Sequence, residues 1–425
     1  MRVAFLSPTG YGNLGDAAII DSLIHGIRRR LPDAEIVGFT LNPHDTTARH
    51  GVPAFTLTGV SIDRYHVTEG PPSAGDGAAD DDEAEPTAMR RLLAKVPGLR
   101  PTFRAARVTV AETRHRRRSA ERIRGFDRVV VAGGGQLDDL WGGPLGQPYT
   151  LLRWGQLARH AGASYLMLSV GTGSLSPLSA RLVRRALSFA DYRSFRDERS
   201  RELVGDPSLT RDDLVVPDLA YAYPLRSSAG PKVAGLTVGI SPMAYADPRV
   251  WPKKDQNRYR HHVDTLVALV VRLARDGKQV VLFTSDGPDR RSLAEVHAAA
   301  DAQLSAAERA RITVPSYDSV AGLMQVLAGV DVVAAARLHG VLLGHVAGKP
   351  ALAISHERKV RTLMEDMKHE RFCFDIDEFD PEVGWQRLQE IEARRDELTA
   401  AVGAATAGYR GRVDAQYDRF FGAAR

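Results

Sequence analysis

At 425 residues, with 44% hydrophobic and 26% charged side chains, the sequence is an ordinary globular mix too long for one comfortable core, so two domains are expected. The single cysteine, Cys373, excludes an intramolecular disulfide framework, suits a reducing cytoplasm and is most simply a small core residue. A net charge of +5 favours anionic partners, and no apolar run reaches the roughly 18 residues needed to span a bilayer.

The first residues read as a strand over 2–6, too short and wrongly flanked for a signal peptide. Ser7-Pro8-Thr9-Gly10-Tyr11-Gly12-Asn13-Leu14-Gly15-Asp16 follows, then an amphipathic helix over about 17–30. Its glycines let the backbone approach a ligand, and the helix start offers free N–H groups. The spacing is not that of a Walker loop and only partly that of a dinucleotide fingerprint. Asn13 and Asp16 can accept from a substrate hydroxyl; equally, Asp16 can cap the helix.

Strands over 35–40 and 53–57 continue a doubly wound start. Residues 64–86 are polar, small and acidic, which predicts a mobile surface loop. The segment 90–128 is basic, centred on Arg114, His115, Arg116, Arg117 and Arg118. Such a helix face is usually solvated; contact with an anionic membrane surface or a lipid-linked diphosphate is the second reading. No aromatic interleaving accompanies it, so nucleic acid is not an expected partner.

A strand over 127–132 ends in Gly133-Gly134-Gly135, and one over 164–170 ends in Gly171-Thr172-Gly173-Ser174. Tyr192-Arg193-Ser194-Phe195-Arg196-Asp197 then puts Arg196 at a further strand end. An open α/β sheet gathers such ends on one edge, which argues for one shared site. Prolines, serines and a glycine between 217 and 235 predict a linker. The domains are therefore expected at 1–228 and 229–380, with a helical segment over 381–425. The second domain reads as strands over 236–240, 279–284, 311–314, 332–336 and 350–354 alternating with helices. Two Rossmann-like, doubly wound α/β domains facing across a cleft are expected.

Within the second domain, Arg337-Leu338-His339-Gly340 joins a buried strand to an apolar helix. A fixed cation beside a titratable ring at a helix N-terminus suits a phosphate-bearing anion. Taken alone, Arg-x-His is explained more simply by an ion pair and a helix cap. The last strand ends at Ser355-His356-Glu357-Arg358-Lys359.

Gly10-Tyr11-Gly12-Asn13-Leu14-Gly15-Asp16, Gly133-Gly134-Gly135, Ser194-Phe195-Arg196-Asp197, Arg337-Leu338-His339-Gly340 and Lys359 together resemble the polysaccharide pyruvyltransferase family. The resemblance runs over most of the chain, although Ala17 stands where the family's first loop typically carries Glu. It implies a glycosyltransferase-B-like pair of Rossmann domains. It also implies transfer of pyruvate from phosphoenolpyruvate onto sugar hydroxyls of a glycan or glycoconjugate as a ketal. The residue chemistry fits. A donor with a phosphate and a carboxylate needs cationic clamps, expected from Arg337 and Arg196 with Lys359 adding charge. His339 is the expected acid for the vinyl carbon, and Asp16 with Asn13 the group that orients or deprotonates the hydroxyl. Leu338 belongs to the same binding motif, and Gly12, Gly134 and Gly135 are expected to bring backbone to the cleft.

No metal or cofactor is expected, and no ligand cluster is visible in the sequence. The partners implied are phosphoenolpyruvate and a saccharide or lipid-linked saccharide acceptor. The expected location is cytoplasmic, with peripheral contact at the inner face of the membrane if the arginines meet lipid. A nucleotide-sugar glycosyltransferase of the same architecture, with Asp286 as its candidate carboxylate, is the alternative. So is a non-catalytic relative that binds a glycan precursor.

Overall fold

The computed structural model describes residues 1–10, 12–59, 99–140, 142–225, 235–251 and 253–422, so the acidic stretch 64–86 lies outside the described residues. Two parallel sheets organise the chain. The first contains β1 (Arg2–Ser7), β2 (Glu35–Thr40), β3 (Ala54–Thr56), β4 (Arg128–Gly134), β5 (Ser164–Val170), β6 (Tyr192–Phe195) and β7 (Leu214–Val215). The second contains β8 (Thr237–Ser241), β9 (Gln279–Leu282), β10 (Ile312–Thr313), β11 (Val332–Ala335), β12 (Ala351–Ile354) and β13 (Cys373–Phe374).

The strand orders are 3-2-1-4-5-6-7 and 10-9-8-11-12-13. Each sheet therefore reverses direction once, between β1 and β4 and between β8 and β11. Helices cover both faces, which explains why β11 is buried at all four positions and reads as a continuous apolar run. At such reversals the loops beyond the strands' carboxyl ends diverge and leave a crevice. The fold is thus two Rossmann-like units, with a crevice expected at each reversal.

The described start of the break between the sheets, residues 217–225, is packed rather than a loose linker. Asp218 caps a short turn, Leu219–Ala222, by accepting from the Ala220 N–H at 3.0 Å, and Leu219, Ala220 and Tyr221 are buried. Leu219 is tied to the first helix, Leu14–Arg30, because Ser22 donates to its carbonyl.

The last helix, Arg395–Phe421, is not a separate appendage. It crosses from the second unit, where Thr406 Oγ1 donates to the His345 carbonyl, back to the first. There Arg30 meets Asp418 at 2.6 Å and Asp414 at 3.1 Å. The Tyr417 ring lies where a Cβ on Gly26 would be, 2.5 Å away. Between the two units the Leu14 N–H donates to the Ser285 carbonyl at 2.9 Å. Helix Leu14–Arg30 thereby sets its N-terminus directly against the β9 loop.

In the basic helix, Leu99–Arg122, His115 and Ser119 are buried while Arg114, Arg116, Arg117 and Arg118 are exposed. The His115 ring lies 3.2 Å from the Leu57 carbonyl. Among the described residues no helix is long and apolar enough to cross a membrane. Cys373 is half-buried on the edge strand β13, against the core rather than inside it.

Candidate functional site

A cavity of about 450 Å³ opens where the reversal points of the two sheets face each other. The loops after β1, β4 and β6 line it from one side, and those after β8, β9, β11 and β12 from the other. The structure brings Asn13, Asp16, Gly135, Arg196, Arg337, Leu338, His339 and Lys359 to this one cavity. Gly12 and Gly134, expected there, are not among its lining residues. Gly134 is the last residue of β4 with φ 71°, and the space a side chain would fill meets Ile19 Cδ1 at 3.1 Å, so it serves packing. Gly12 shapes the turn through its φ of 76°.

Arg196 and His339 come from different units and meet at Asp218, in the stretch expected to be a linker. Asp218 Oδ2 is 3.6 Å from Arg196 Nη1 and 3.8 Å from His339 Nε2. These are ion-pair separations, longer than hydrogen bonds. The Asp218 side chain is 1% exposed and that of Arg196 9%. Burial opposes a charge on Asp218, but His339 and then Arg196 outweigh it and hold the carboxyl below its usual range. Burial likewise opposes charge on Arg196, and Asp218, Asp197 and Asp138 overcome it, so the guanidinium stays charged.

Two glycines make room for these groups. A Cβ on Gly15 would lie 2.2 Å from His339 Cγ and Nδ1, and one on Gly171 would lie 2.9 Å from Arg196 Nη2. Both side chains therefore rest directly on backbone, which fixes their orientation. Gly15 belongs to the first Gly-rich turn. Its role becomes visible only once the second unit is folded against the first.

Arg337 has a different neighbourhood from the one expected. Its Nε and Nη2 each donate at 2.8 Å to Asp289, a fully buried carboxylate that also accepts from the Ala244 N–H. That edge of the guanidinium is committed to the protein, while Arg337 still lines the cavity as expected of a cation there. Asp286 Oδ2 lies 3.4 Å from Arg337 Nη2, yet neither Asp286 oxygen accepts a hydrogen bond. Chiefly burial, and then the carboxylates of Asp289 and Asp16, push the Asp286 carboxyl up to about 7 against the opposing charge of Arg337.

A raised folded value means that the folded chain holds the proton more tightly than the unfolded one. Stability therefore falls as pH rises from about 4 towards 7, the interval between the unfolded and folded values. Asp286→Asn, which cannot ionise, should accordingly melt several degrees higher than the parent at pH 8 and indistinguishably from it near pH 4. Melting curves at the two pH values check this.

Asn13 is the helix cap, accepting from the Asp16 N–H at 3.0 Å, and this leaves the Asp16 side chain to line the cavity. Lys359 lines it too, while pairing with Glu357 at 3.0 Å. Lys253 stands exposed at the rim. Trp251 and His356 form an aromatic wall, their ring centroids 5.4 Å apart. Among the described residues no three His, Cys, Asp or Glu side chains group as metal ligands would.

The reading from sequence missed Asp218, Asp289, Gly15 and Gly171. Asp289 carried a signal, since Ser285-Asp286-Gly287-Pro288-Asp289 follows a strand end as Arg196 does. Asp218 precedes the apolar run Leu219-Ala220-Tyr221-Ala222, the mark of a capped turn rather than of a linker.

Comparison with solved structures returns the same two-unit architecture. A Staphylococcus aureus MnaA–UDP structure superposes with a TM-score of 0.54 at 10% identity, covering 96% of this chain and 94% of that one. Anabaena Alr3699/HepE in complex with UDP-glucose gives 0.51 at 14% identity, covering 99% and 98%. A Listeria monocytogenes putative UDP-N-acetylglucosamine 2-epimerase gives 0.57 at 9% identity, covering 98% and 97%. These likenesses establish a glycosyltransferase-B-like fold and nothing finer. No curated protein matches the chain. The model of the family described as polysaccharide pyruvyl transferase matches residues 13–358, from the cap of the first helix through the loop after β12. With four-fifths of its length so matched, the chain belongs to the polysaccharide pyruvyl transferase family.

Proposed function

We propose that the chain transfers pyruvate from phosphoenolpyruvate to two hydroxyls of a saccharide, forming a ketal and releasing phosphate. The observation that carries this reading is the convergence of Arg196 and His339, from opposite units, on the buried charge of Asp218. It supplies a permanent cation and a proton carrier, both held against backbone, at the wall of one cavity. A small, highly charged anion needs this kind of preorganised surface.

Arg196, Lys253 and Lys359 bind the donor's phosphate and carboxylate, with the N-terminus of helix Leu338–Val346 adding its dipole. Arg337 contributes its charge from the cavity wall while Asp289 holds it in place. His339, as imidazolium, protonates the vinyl carbon, and the second carbon becomes electrophilic enough for a sugar hydroxyl to attack. Asp16 orients that hydroxyl. The exposed arginines 114 and 116–118 offer an anionic, lipid-linked acceptor or a membrane surface a place to lie.

A nucleotide-sugar donor is the second reading. The structural neighbours solved with UDP and the Trp251–His356 wall, on which a base or sugar ring can stack, favour it. Ligand protection separates the two, because a ligand stabilises the state it binds. Phosphoenolpyruvate should raise the melting temperature by several degrees in the parent and not in Arg196→Ala, whereas UDP-glucose should leave it unchanged. Protection by UDP-glucose alone would transfer the conclusion to glycosyl transfer.

A further inference from the structure

Ketal formation moves more protons than one histidine can carry in a single state. Two hydroxyl protons leave the acceptor. One proton ends on the vinyl carbon, which becomes a methyl, and one ends on the phosphate as the bond from the second carbon to its bridging oxygen breaks. If His339 supplies the carbon and takes back the first hydroxyl proton, a second group can supply the phosphate and take back the other without His339 having to serve both positions.

Among the described carboxylates near Arg337, Asp286 is the one arranged for this, since Glu357 pairs with Lys359 at 3.0 Å and is held below its usual range. Asp289 is fully engaged, with two hydrogen bonds from Arg337 and one from Ala244. Asp16 is only partly buried and open to water. Asp286 is 3% exposed, lines the cavity and has no hydrogen-bond donor on either oxygen. A buried carboxylate that accepts no hydrogen bond is costlier than the same group as a neutral acid.

The site is also stiff. Thr284 Oγ1 donates to the Asp286 carbonyl at 2.8 Å and accepts from its N–H at 3.1 Å, and the Leu14–Ser285 hydrogen bond pins the same loop to the first unit. Arg337, 3.4 Å away, stands ready to stabilise the carboxylate once its proton has gone.

We propose that Asp286 is a second catalytic acid–base residue of this site, entering the cycle as the neutral acid and giving its proton to the departing phosphate. The inference rests on the pyruvyl-transfer reading. The first hydroxyl adds to the second carbon as His339 protonates the vinyl carbon, and its own proton passes to His339. The bond to the bridging oxygen then breaks, with the electron pair leaving on the phosphate and the Asp286 proton following it. The second hydroxyl attacks the resulting cation, its proton returns to Asp286, and no redox partner is required. The opposite displacements of Asp286 and Asp218 support the division of labour, since one carboxyl holds its proton to higher pH and the other gives it up at lower pH. The charged and titratable groups facing Asp286 are Arg337, Asp289 and Asp16, with Asp138, Arg196, His339, Lys253, His356, Glu357 and Lys359 elsewhere in the cavity wall.

The test separates the two proton transfers. Parent, Asp286→Asn and His339→Ala are incubated in deuterium oxide with phosphoenolpyruvate and the methyl glycosides of glucose, galactose, mannose and their 2-acetamido forms. Phosphate release and deuterium at the vinyl carbon of recovered donor are both measured. Asp286→Asn should release phosphate ~10²-fold or more slowly, yet still place deuterium on the donor, because the first adduct forms and reverts. His339→Ala should do neither. If the Asn variant does not fold, Asp286→Ser is read in its place. Phosphate release at the parental rate, or joint loss of release and exchange in a folded Asp286 variant, overturns the assignment. A parent that neither releases phosphate nor exchanges deuterium overturns instead the pyruvyl-transfer reading, and this inference with it.

Discussion

His339→Ala is expected to lower turnover by roughly 10²- to 10⁴-fold while leaving donor binding and the melting temperature close to those of the parent. The ring contributes a proton rather than packing. Its side chain is 13% exposed at the cavity wall, so its removal leaves space that water can enter instead of an empty core cavity. Gly15→Ala should reproduce part of the loss with His339 still present, since the added methyl must push the ring away from a backbone it would otherwise approach at 2.2 Å. Misplacing a catalytic group by about 1 Å can cost on the order of 10²-fold. Steady-state rates and melting curves on the two variants provide the check. Near-parental turnover in a folded His339→Ala would remove the acid role.

Asp218→Asn should fail differently, losing stability and turnover together. The substitution keeps the shape and can still cap the Leu219–Ala222 turn. It strips the most buried counter-charge from Arg196, itself nearly buried, and leaves it Asp197 at 3.4 Å and the charge of Asp138. Removing one partner of a buried ion pair typically costs about 3–5 kcal/mol. Turnover should fall at least tenfold, because Arg196 and His339 lose the carboxylate on which both converge. The pH dependence carries the opposite sign to that of Asp286. A carboxyl whose folded value is depressed stabilises the fold above the unfolded value near 4, and this stability is lost as pH falls through the folded value. The deficit of Asp218→Asn relative to the parent should therefore be full at pH 7 and shrink in acid. Chemical denaturation at pH 7 and pH 3 measures both ends.

The two variants also mark where sequence reading succeeds and stops. Strand ends carrying Arg196, Arg337 and His339 were legible because a parallel sheet sends every such end to one edge, and short apolar runs such as Val332–Ala335 locate the strands. What the pattern could not give was partnership. Asp218 lies 121 positions from His339 and looks like part of a polar break, and only the packing of the two units brings them within 3.8 Å. The same holds for Gly15, whose missing side chain matters because of a ring more than three hundred residues away. Arg337 shows another hidden partnership. Its type and position suit an anion clamp, yet a carboxylate three residues beyond Asp286 takes its fork, and nothing in the local sequence around Arg337 announces that. The crossing of helix Arg395–Phe421 back to the first unit was hidden for a similar reason, because helical periodicity says that a face is buried and not against what.

Mass spectrometry of the saccharide after incubation with phosphoenolpyruvate tests pyruvate transfer most directly. The methyl glycosides of glucose, galactose, mannose and their 2-acetamido forms serve as acceptors, with phosphate assayed alongside. The expected result is a sugar heavier by pyruvic acid less one water, formed with one phosphate released per ketal, by the parent chain and not by His339→Ala. Unchanged acceptors and intact donor across the panel, with sugar transfer from a nucleotide donor in parallel reactions, would contradict it.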